Sequence, residues 1–356
     1  MAVVIDTWFP AVGGGQINAL EISKRIARNN VTVEVLTRNN GYTENKNTKN
    51  FIVHQLGEKA EATNYISRIR FIVNVILYLY KNKYDVIHLH AFLPGLLAPL
   101  VRYILKKPVI FTVHGTRMFE EHPTKTLGYI LEKIILTWIK YDLQISVTKR
   151  FLNFKNINKV IYIPNAVNYL DFDRIQVKKA IYPKILWVGR FDKVKRVEDL
   201  IAASKIVTEK INNVKFFLVG YGCEEKRLKM LKNKMKAKNV IFTGKKTGID
   251  LIREYKSSHL FVLTSSSEGQ PITVLEAQAA SLPIVATNVG GVGEIVKDGV
   301  NGFLVSSNNT KEIANAIVLC IQGGMEMGKH GYESVKKHFS WNIIAQKTLN
   351  VYKDVM

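Results

Sequence analysis

Short apolar, β-branched runs alternate with helix-period stretches from one end of the chain to the other, and the alternation starts twice. The first series is Ala2–Asp6, Val31–Thr37, Phe51–Gln55, Val86–His90, Val109–Val113, Leu143–Ser146 and Val160–Ile163. The second is Ile185–Val188, Phe216–Val219, Val240–Thr243, Leu260–Leu263, Ile284–Ala286 and Gly302–Val305. Helical stretches such as Gln16–Asn29 and Pro94–Leu105 lie between them. Runs apolar on both faces, joined by helical crossovers, predict parallel sheets covered on both sides. Two series predict two doubly wound Rossmann-like α/β domains. The seam falls near 165–182, between Pro164 and Pro183. The predicted domains are 1–170 and 171–339, with a C-terminal helix, 340–356, crossing back to the first. Ligands of such folds bind at the carboxyl ends of the strands, here in a cleft between the domains.

The chain has 356 residues, 47% of them apolar, enough for two cores. No apolar run reaches transmembrane length, and Asp6 with Gly13–Gly15 interrupts any secretory leader. Two distant cysteines, Cys223 and Cys320, give no disulfide or zinc framework and suit a reducing cytosol. The formal charge is +22, with an excess of ten in residues 1–175 and of twelve in 176–356. That charge draws the protein to polyanions such as acidic lipid or phosphorylated substrates. No zinc-finger spacing, RNP-like aromatic motif or helix-turn-helix accompanies it, so nucleic acid is not an expected partner.

Four segments carry chemistry. In TWFPAVGGGQINALEISKRI, residues 7–26, a strand gives way to three glycines and a helix that opens near Gln16. Glycines allow close backbone approach, and a helix start offers free amides to an anion. The spacing is neither that of the dinucleotide fingerprint nor that of the Walker loop. DVIHLHAFLPG and VIFTVHGT each end a strand in histidine, His90 and His114, able to hydrogen-bond sugar hydroxyls. In ILWVGRFDKVKRVEDLI, residues 185–201, Arg190 and Lys195 share one loop, a guanidinium fork and a point charge suited to a diphosphate. In SSSEGQPITVLEAQAASLPIVAT, residues 265–287, Glu268 and Glu276 flank a helix start near Pro271 or Ile272. Amides at 270–273 point at an anion. Glu276 then holds ribose hydroxyls, and Glu268 reaches the ligand's distal group.

Together these segments resemble the retaining glycosyltransferases of family 4, which have the GT-B fold. The resemblance covers nearly the whole chain, including IPNAVNYLDF at 163–172. It implies that Arg190 and Lys195 neutralise the donor diphosphate, that Glu276 holds the ribose and that Glu268 lies near the donor sugar. It implies further that Gly269, Gln270, Pro271 and Ile272 border phosphate and sugar, and that Gly14 and Gly15 close on the donor. His114 lies near the reacting face, and Gly244 to Lys246 occupy the base-binding segment. Of these, His114, Glu268, Arg190 and Lys195 are the expected catalytic residues. Ala166 and Asn168, and Ser281 in a helix-to-strand turn, depart from the family's more usual Gly, Asp and Gly.

The implied reaction moves a hexose or N-acetylhexosamine from a nucleotide diphosphate sugar, by default a UDP-sugar, to a glycan or lipid-linked acceptor. The activity serves cell-surface glycan synthesis, with domain closure over the site. Other activities of the same fold, such as an epimerase or a phosphorylase, and a non-catalytic binding protein are the competing expectations. No pyridoxal-phosphate lysine site is found, and Arg190, Lys195 and Glu276 are all present. Asp171-Phe172-Asp173, an acid-x-acid triplet, reads as linker, so no cofactor and no metal are expected. Residues 65–85 join basic residues to an apolar helix. That helix is expected to pack under the sheet, with an anionic membrane as its other possible neighbour. The expected location is cytoplasmic, with peripheral attachment at the inner face of the membrane as an option.

Overall fold

The computed structural model describes residues 1–9, 13–42, 47–60, 65–116, 118 and 126–356. It divides the chain into two compact units: Met1–Asn165 with Trp341–Met356, and Ala166–Ser340. The chain passes between units at 165/166 and 340/341, a few residues from the positions expected. Val167 and Ser340 form a parallel bridge, the Val167 amide donates to the Phe339 carbonyl, and Phe172 is buried in the second unit's core. These contacts tie both crossing strands of chain to the second unit.

In the first unit the strands are β1 (Ala2–Ile5), β2 (Val33–Arg38), β3 (Phe51–Leu56), β4 (Ile87–His90), β5 (Val109–Val113), β6 (Leu143–Ser146) and β7 (Val160–Tyr162). They form one parallel sheet in the order β3-β2-β1-β4-β5-β6-β7. Its helices are α1 (Gly14–Ala27), α2 (Tyr65–Lys81), α3 (Phe92–Gly95) and α4 (Leu127–Thr137). Phe71, Val75 and Leu79 of α2, Leu97 and Val101 beyond α3, and Leu136 of α4 share one core with Val4, Leu89 and Phe111 of the sheet. Side chains alternate along a strand, so His88 and His90 leave the other face of β4. There the C-terminal helix, Trp341–Val355, packs on α1 and brings Tyr352 to His88.

The helix expected at Pro94–Leu105 is broken. A single turn, Phe92–Gly95, precedes a π-helical stretch, Leu100–Ile104. Pro94 and Pro99 have no N–H and cannot supply their rungs of a regular helix.

In the second unit the strands are β8 (Lys184–Arg190), β9 (Lys215–Tyr221), β10 (Val240–Gly244), β11 (Leu260–Leu263), β12 (Ile284–Thr287) and β13 (Gly302–Val305). The order is β10-β9-β8-β11-β12-β13, all parallel. Helices α5 (Tyr169–Asp173), α6 (Val197–Lys210), α7 (Glu225–Lys234), α8 (Gly248–Ser257), α9 (Ile272–Ala279), α10 (Val292–Ile295), α11 (Thr310–Gly323) and α12 (Met325–His338) accompany them. Ile185 and Trp187 face one core with Ile201 and Ile317, while Leu186 and Val188 face the other with Phe261 and Leu275. Burial on both sides explains why β8 reads as an unbroken apolar run.

The Asp171-Phe172-Asp173 triplet is not a linker. It lies in α5, where Asp171 accepts from Asn168 at 2.7 Å and Asp173 accepts from Tyr332 at 2.9 Å. Among the described residues no group of three or more His, Cys, Asp or Glu could hold a metal ion.

Candidate active site

The strand orders locate the places where a ligand can reach each sheet's carboxyl edge. In the second unit the chain runs β8, β9, β10 to one side and then β11, β12, β13 to the other. The topological switch point lies between the paired strands β8 and β11, where the outgoing loops part. Arg190 ends β8 and Lys195 stands in the loop after it, while the loop after β11 carries Glu268 to Pro271 and leads into α9 at Ile272. Two of the four predicted segments thus flank one switch point.

These two loops are joined by several hydrogen bonds. The Ser266 amide donates to the Val194 carbonyl at 2.8 Å, and Thr264 Oγ1 donates to the Lys195 carbonyl at 2.9 Å. Asp192 accepts from the Lys195 amide at 3.3 Å and so closes the tight turn Lys193–Lys195. Lys195 Nζ reaches Glu268 Oε1 at 2.6 Å, and Ser265 Oγ donates to the same oxygen at 2.5 Å. Arg190 behaves differently. Its side chain is 65% exposed and lies 3.4 Å from Asp192, so its fork is open to an incoming anion.

Glu268 and Lys195 therefore touch, a contact that the sequence did not point to. The physical reason is the pairing of β8 with β11, which brings two oppositely charged side chains from distant segments to one edge.

Helix α9 begins at Ile272, with Pro271 at its N-cap in extended geometry. Gln270 is buried, and the Gly269 carbonyl accepts from the Gly291 amide at 2.7 Å. At Gly290, φ is +55° and a Cβ would fall 1.8 Å from the Glu268 carbonyl oxygen, so only glycine fits beside that loop. One turn into α9, Glu276 Oε2 accepts from Tyr255 Oη at 2.8 Å. Loss of solvation pushes the Glu276 carboxyl up to about 7, while the Tyr255 bond pulls it down. The same enclosure, with Glu276 beside it, pushes the Tyr255 phenol well above its usual range.

Gly244 and Lys246 lie at the carboxyl end of β10, two strands from β8. Gly244 has φ +75°. Lys246 is ion-paired with Glu254 of α8, which Lys184 also holds at 2.6 Å. Lys245 stands 5.0 Å over the Tyr221 ring.

In the first unit the switch point lies between β1 and β4. The glycine loop follows β1, and His90 ends β4. Residues 10–12 of that loop lie outside the described residues. Helix α1 opens at Gly14, two residues earlier than expected, so Gly14 and Gly15 form its first turn. Gly15 rests on an imidazole: a Cβ there would meet His114 Cδ2 at 3.2 Å. His90 Nδ1 and His114 Nε2 are 2.9 Å apart, with the rings stacked. His88 bridges Tyr352 and Thr112, each at 2.6 Å. Burial holds all three rings neutral: His88 falls to about 3, His114 to about 4, and His90 well below the usual value. His114 Nδ1 is buried and has no hydrogen-bond partner among the described residues.

Sequence reasoning missed Tyr255, Ser265, His88 and Tyr352. Ser265 stands in the quoted SSSEG run, and His88 two positions before His90 has the alternation of a strand. Tyr255 and Tyr352 carry no local signal.

Residues 12–168 match the family profile of glycosyltransferase family 4, and residues 171–336 match that of the glycosyl transferases group 1. The chain is a family 4 glycosyltransferase. This glycosyltransferase is 25% identical to the N-acetyl-alpha-D-glucosaminyl L-malate synthase of Bacillus anthracis, over 98% of the chain and 96% of that protein. It is 27% identical to the UDP-Gal:alpha-D-GlcNAc-diphosphoundecaprenol alpha-1,3-galactosyltransferase of Escherichia coli, over 71% of the chain and 70% of that protein. Its fold is that of the sucrose-phosphate synthase of Thermosynechococcus elongatus, with a TM-score of 0.86 at 22% identity, covering 99% of the chain and 98% of that structure. The two parallel-sheet units of this glycosyltransferase are those of the GT-B fold.

Proposed function

We propose that this glycosyltransferase moves a hexose or N-acetylhexosamine from a UDP-sugar to a glycan or lipid-linked acceptor, in the synthesis of a cell-surface polysaccharide or glycolipid. The observation that carries the donor assignment is the convergence of Arg190, Lys195, Glu268 and the start of α9 at one switch point. As the anomeric C–O bond breaks, negative charge grows on the leaving diphosphate. Arg190, Lys195 and the free amides at the α9 start meet that charge, so no divalent metal is invoked. Glu276 accepts hydrogen bonds from the ribose diol, and Glu268 accepts from hydroxyls of the transferring sugar.

The acceptor oxygen attacks the anomeric carbon from the face the diphosphate leaves, and a phosphate oxygen takes the acceptor's proton. The anomeric configuration is then retained. His114, kept neutral by burial, offers a hydrogen bond to the sugar, and the Gly14–Gly15 turn offers close backbone approach. The E. coli relative, named for a UDP-galactose donor and a diphosphoundecaprenol acceptor, supports the choices of UDP and of a lipid-linked acceptor.

Calorimetric titration with UDP-, GDP- and ADP-sugars tests the donor assignment, with and without added magnesium, on wild type and Glu276→Ala. One donor binds without metal, and Glu276→Ala loses it. A folded protein that binds none of them, or binds only with magnesium, overturns the corresponding part of the assignment.

A further inference from the structure

Helix α2 is apolar on two sides. Phe71, Val75 and Leu79 enter the core of the first unit, while Ile66, Ile69, Val73, Leu77 and Tyr80 form a second stripe at helical spacing that faces solvent. Helix α4 repeats the arrangement. Ile135 and Leu136 are buried, and Leu127, Ile130, Leu131, Ile134 and Trp138 are exposed. Between them the π-helical stretch exposes Tyr103 and Ile104. All three segments pack into one core on one face of the seven-stranded sheet, so their outer sides belong to a single layer. Tyr80, Leu127 and Trp138 are 77%, 74% and 71% exposed. Apolar surface gathered in this way marks an interaction site.

The charge of the layer identifies the partner. Residues 65–83, 92–107 and 126–140 contain six lysines, three arginines and one acid, Glu132, whose side chain is buried; Arg68, Arg70 and Arg102 are ion-paired with Asp6, Glu58 and Asp142, so the lysines carry the excess charge. Lys81, Lys83, Lys106, Lys133 and Lys140 are exposed around the apolar stripes. Tyr80, Tyr103 and Trp138 are aromatic side chains of the kind that settle at lipid headgroup level. We propose that this outer face of α2, the π-helical stretch and α4 seats on an anionic lipid bilayer. The stripes enter the headgroup boundary and the lysines meet lipid phosphates.

No described helix is long and apolar enough to cross a membrane, so the attachment is one of lying on the surface. A second copy of this chain fits the face poorly, because a two-fold contact would set the same six lysines against themselves. Net charge alone would not single out this face, since both halves of the chain carry a similar excess. The paired apolar stripes do.

Co-sedimentation of the full chain with phosphatidylglycerol/phosphatidylcholine vesicles, and with phosphatidylcholine alone, tests the proposal. Three proteins are compared: wild type, Ile69→Ser/Leu77→Ser/Trp138→Ser, and Lys106→Gln/Lys107→Gln. Every substituted residue carrying the apolar test is exposed, and melting curves confirm that the variants fold. Wild type should bind the anionic vesicles and prefer them to the neutral ones. The lysine variant should bind them on the order of tenfold more weakly at low salt. The apolar variant should lose at least about tenfold at any salt. Absence of wild-type binding, or equal binding by the apolar variant, overturns the assignment. So does a concentration-dependent dimer in ultracentrifugation that the apolar substitutions dissolve, which would make the face a self-interface.

Discussion

Lys195 Nζ and Glu268 Oε1 stand 2.6 Å apart, joining the loops after β8 and β11 across 73 residues of sequence. Their side chains are 22% and 10% exposed, so the pair is largely withdrawn from water. Removing one member leaves the other charged, enclosed and short of a partner. Lys195→Ala is expected to destabilise the protein by on the order of 1–3 kcal/mol in urea unfolding. Lys195→Met/Glu268→Gln should recover part of that loss, because no uncompensated charge remains. Turnover should fall by on the order of 10²–10³ in Lys195→Ala, since in the proposed donor site this group meets the leaving diphosphate. Unchanged turnover would remove Lys195 from the donor site.

Glu276 sets a pH dependence of its own. Its carboxyl is raised to about 7 by lost solvation, from an ordinary value of 4.5. The protonated form is therefore favoured in the fold, and this group's stabilising contribution, complete below 4.5, is lost as pH rises through about 7. In the proposed site donor binding runs the other way, because the ionised Glu276 carboxylate would accept both ribose hydroxyls. Calorimetry should show binding that tightens as pH rises through about 7 and a flat profile in Glu276→Gln. Tyr255→Phe removes a bond that favours the carboxylate and should move the midpoint upward. A wild-type profile without a step near neutrality would be inconsistent with Glu276 as the ribose ligand.

The buried histidines at the strand ends of the first unit give the opposite acid response. His88 and His114 titrate at about 3 and about 4 in the fold, against 6.5 for an ordinary histidine. Between these values the unfolded chain binds more protons than the folded one. The stability these rings contribute is complete above about 6.5 and is lost as pH falls towards 4. Each such ring costs about 1.4 kcal/mol per pH unit in that window. Melting temperatures measured across it should fall steeply, and His88→Gln should soften the slope. A flat response would mean that the rings are not held neutral.

Ser281 lies just past α9 with φ +55°, the left-handed region that glycine occupies without strain. It is also a position where this chain departs from the family's frequent glycine. The Leu282 amide closes the end of the helix on the Ala277 carbonyl at 3.0 Å, so the geometry is fixed by the turn. Ser281→Gly should stabilise the protein by on the order of 1 kcal/mol, read as a rise in melting temperature with turnover unchanged. A drop in melting temperature would show that the serine side chain contributes more than its backbone strain removes.

Much of the fold was legible in the sequence because buried parallel strands write themselves as apolar runs. Val109–Val113, Leu143–Ser146, Leu260–Leu263 and Gly302–Val305 occupy the predicted bounds. Lys184 and Arg190 extend β8 beyond its apolar core because backbone pairing, to Lys215 and Tyr221, fixes strand ends and hydrophobicity does not. Arg190, Lys195, Glu268 and Glu276 were visible as charged residues at strand-to-helix junctions. Their partners were not. Tyr255 reaches Glu276 from α8, and Tyr352 reaches His88 across 264 residues, contacts that no local pattern encodes. Helix α2 was expected to pack under the sheet, and one of its sides does. The second stripe was present in the same residues, but a helix apolar all round reads as buried until a sheet shows which side it covers.

Tyr352 on His88 also imposes an order on assembly. The second unit is one uninterrupted stretch, Ala166–Ser340, set into a first unit whose pieces come from both ends of the chain. During synthesis the unit begun first is thus completed last, once Trp341–Val355 emerges and covers α1. Until then His88 lacks its phenol, and the face of the sheet that the last helix covers stays wet. A nascent chain holds a finished second unit beside an unfinished first one, and a cut near residue 340 would return the protein to that half-built state.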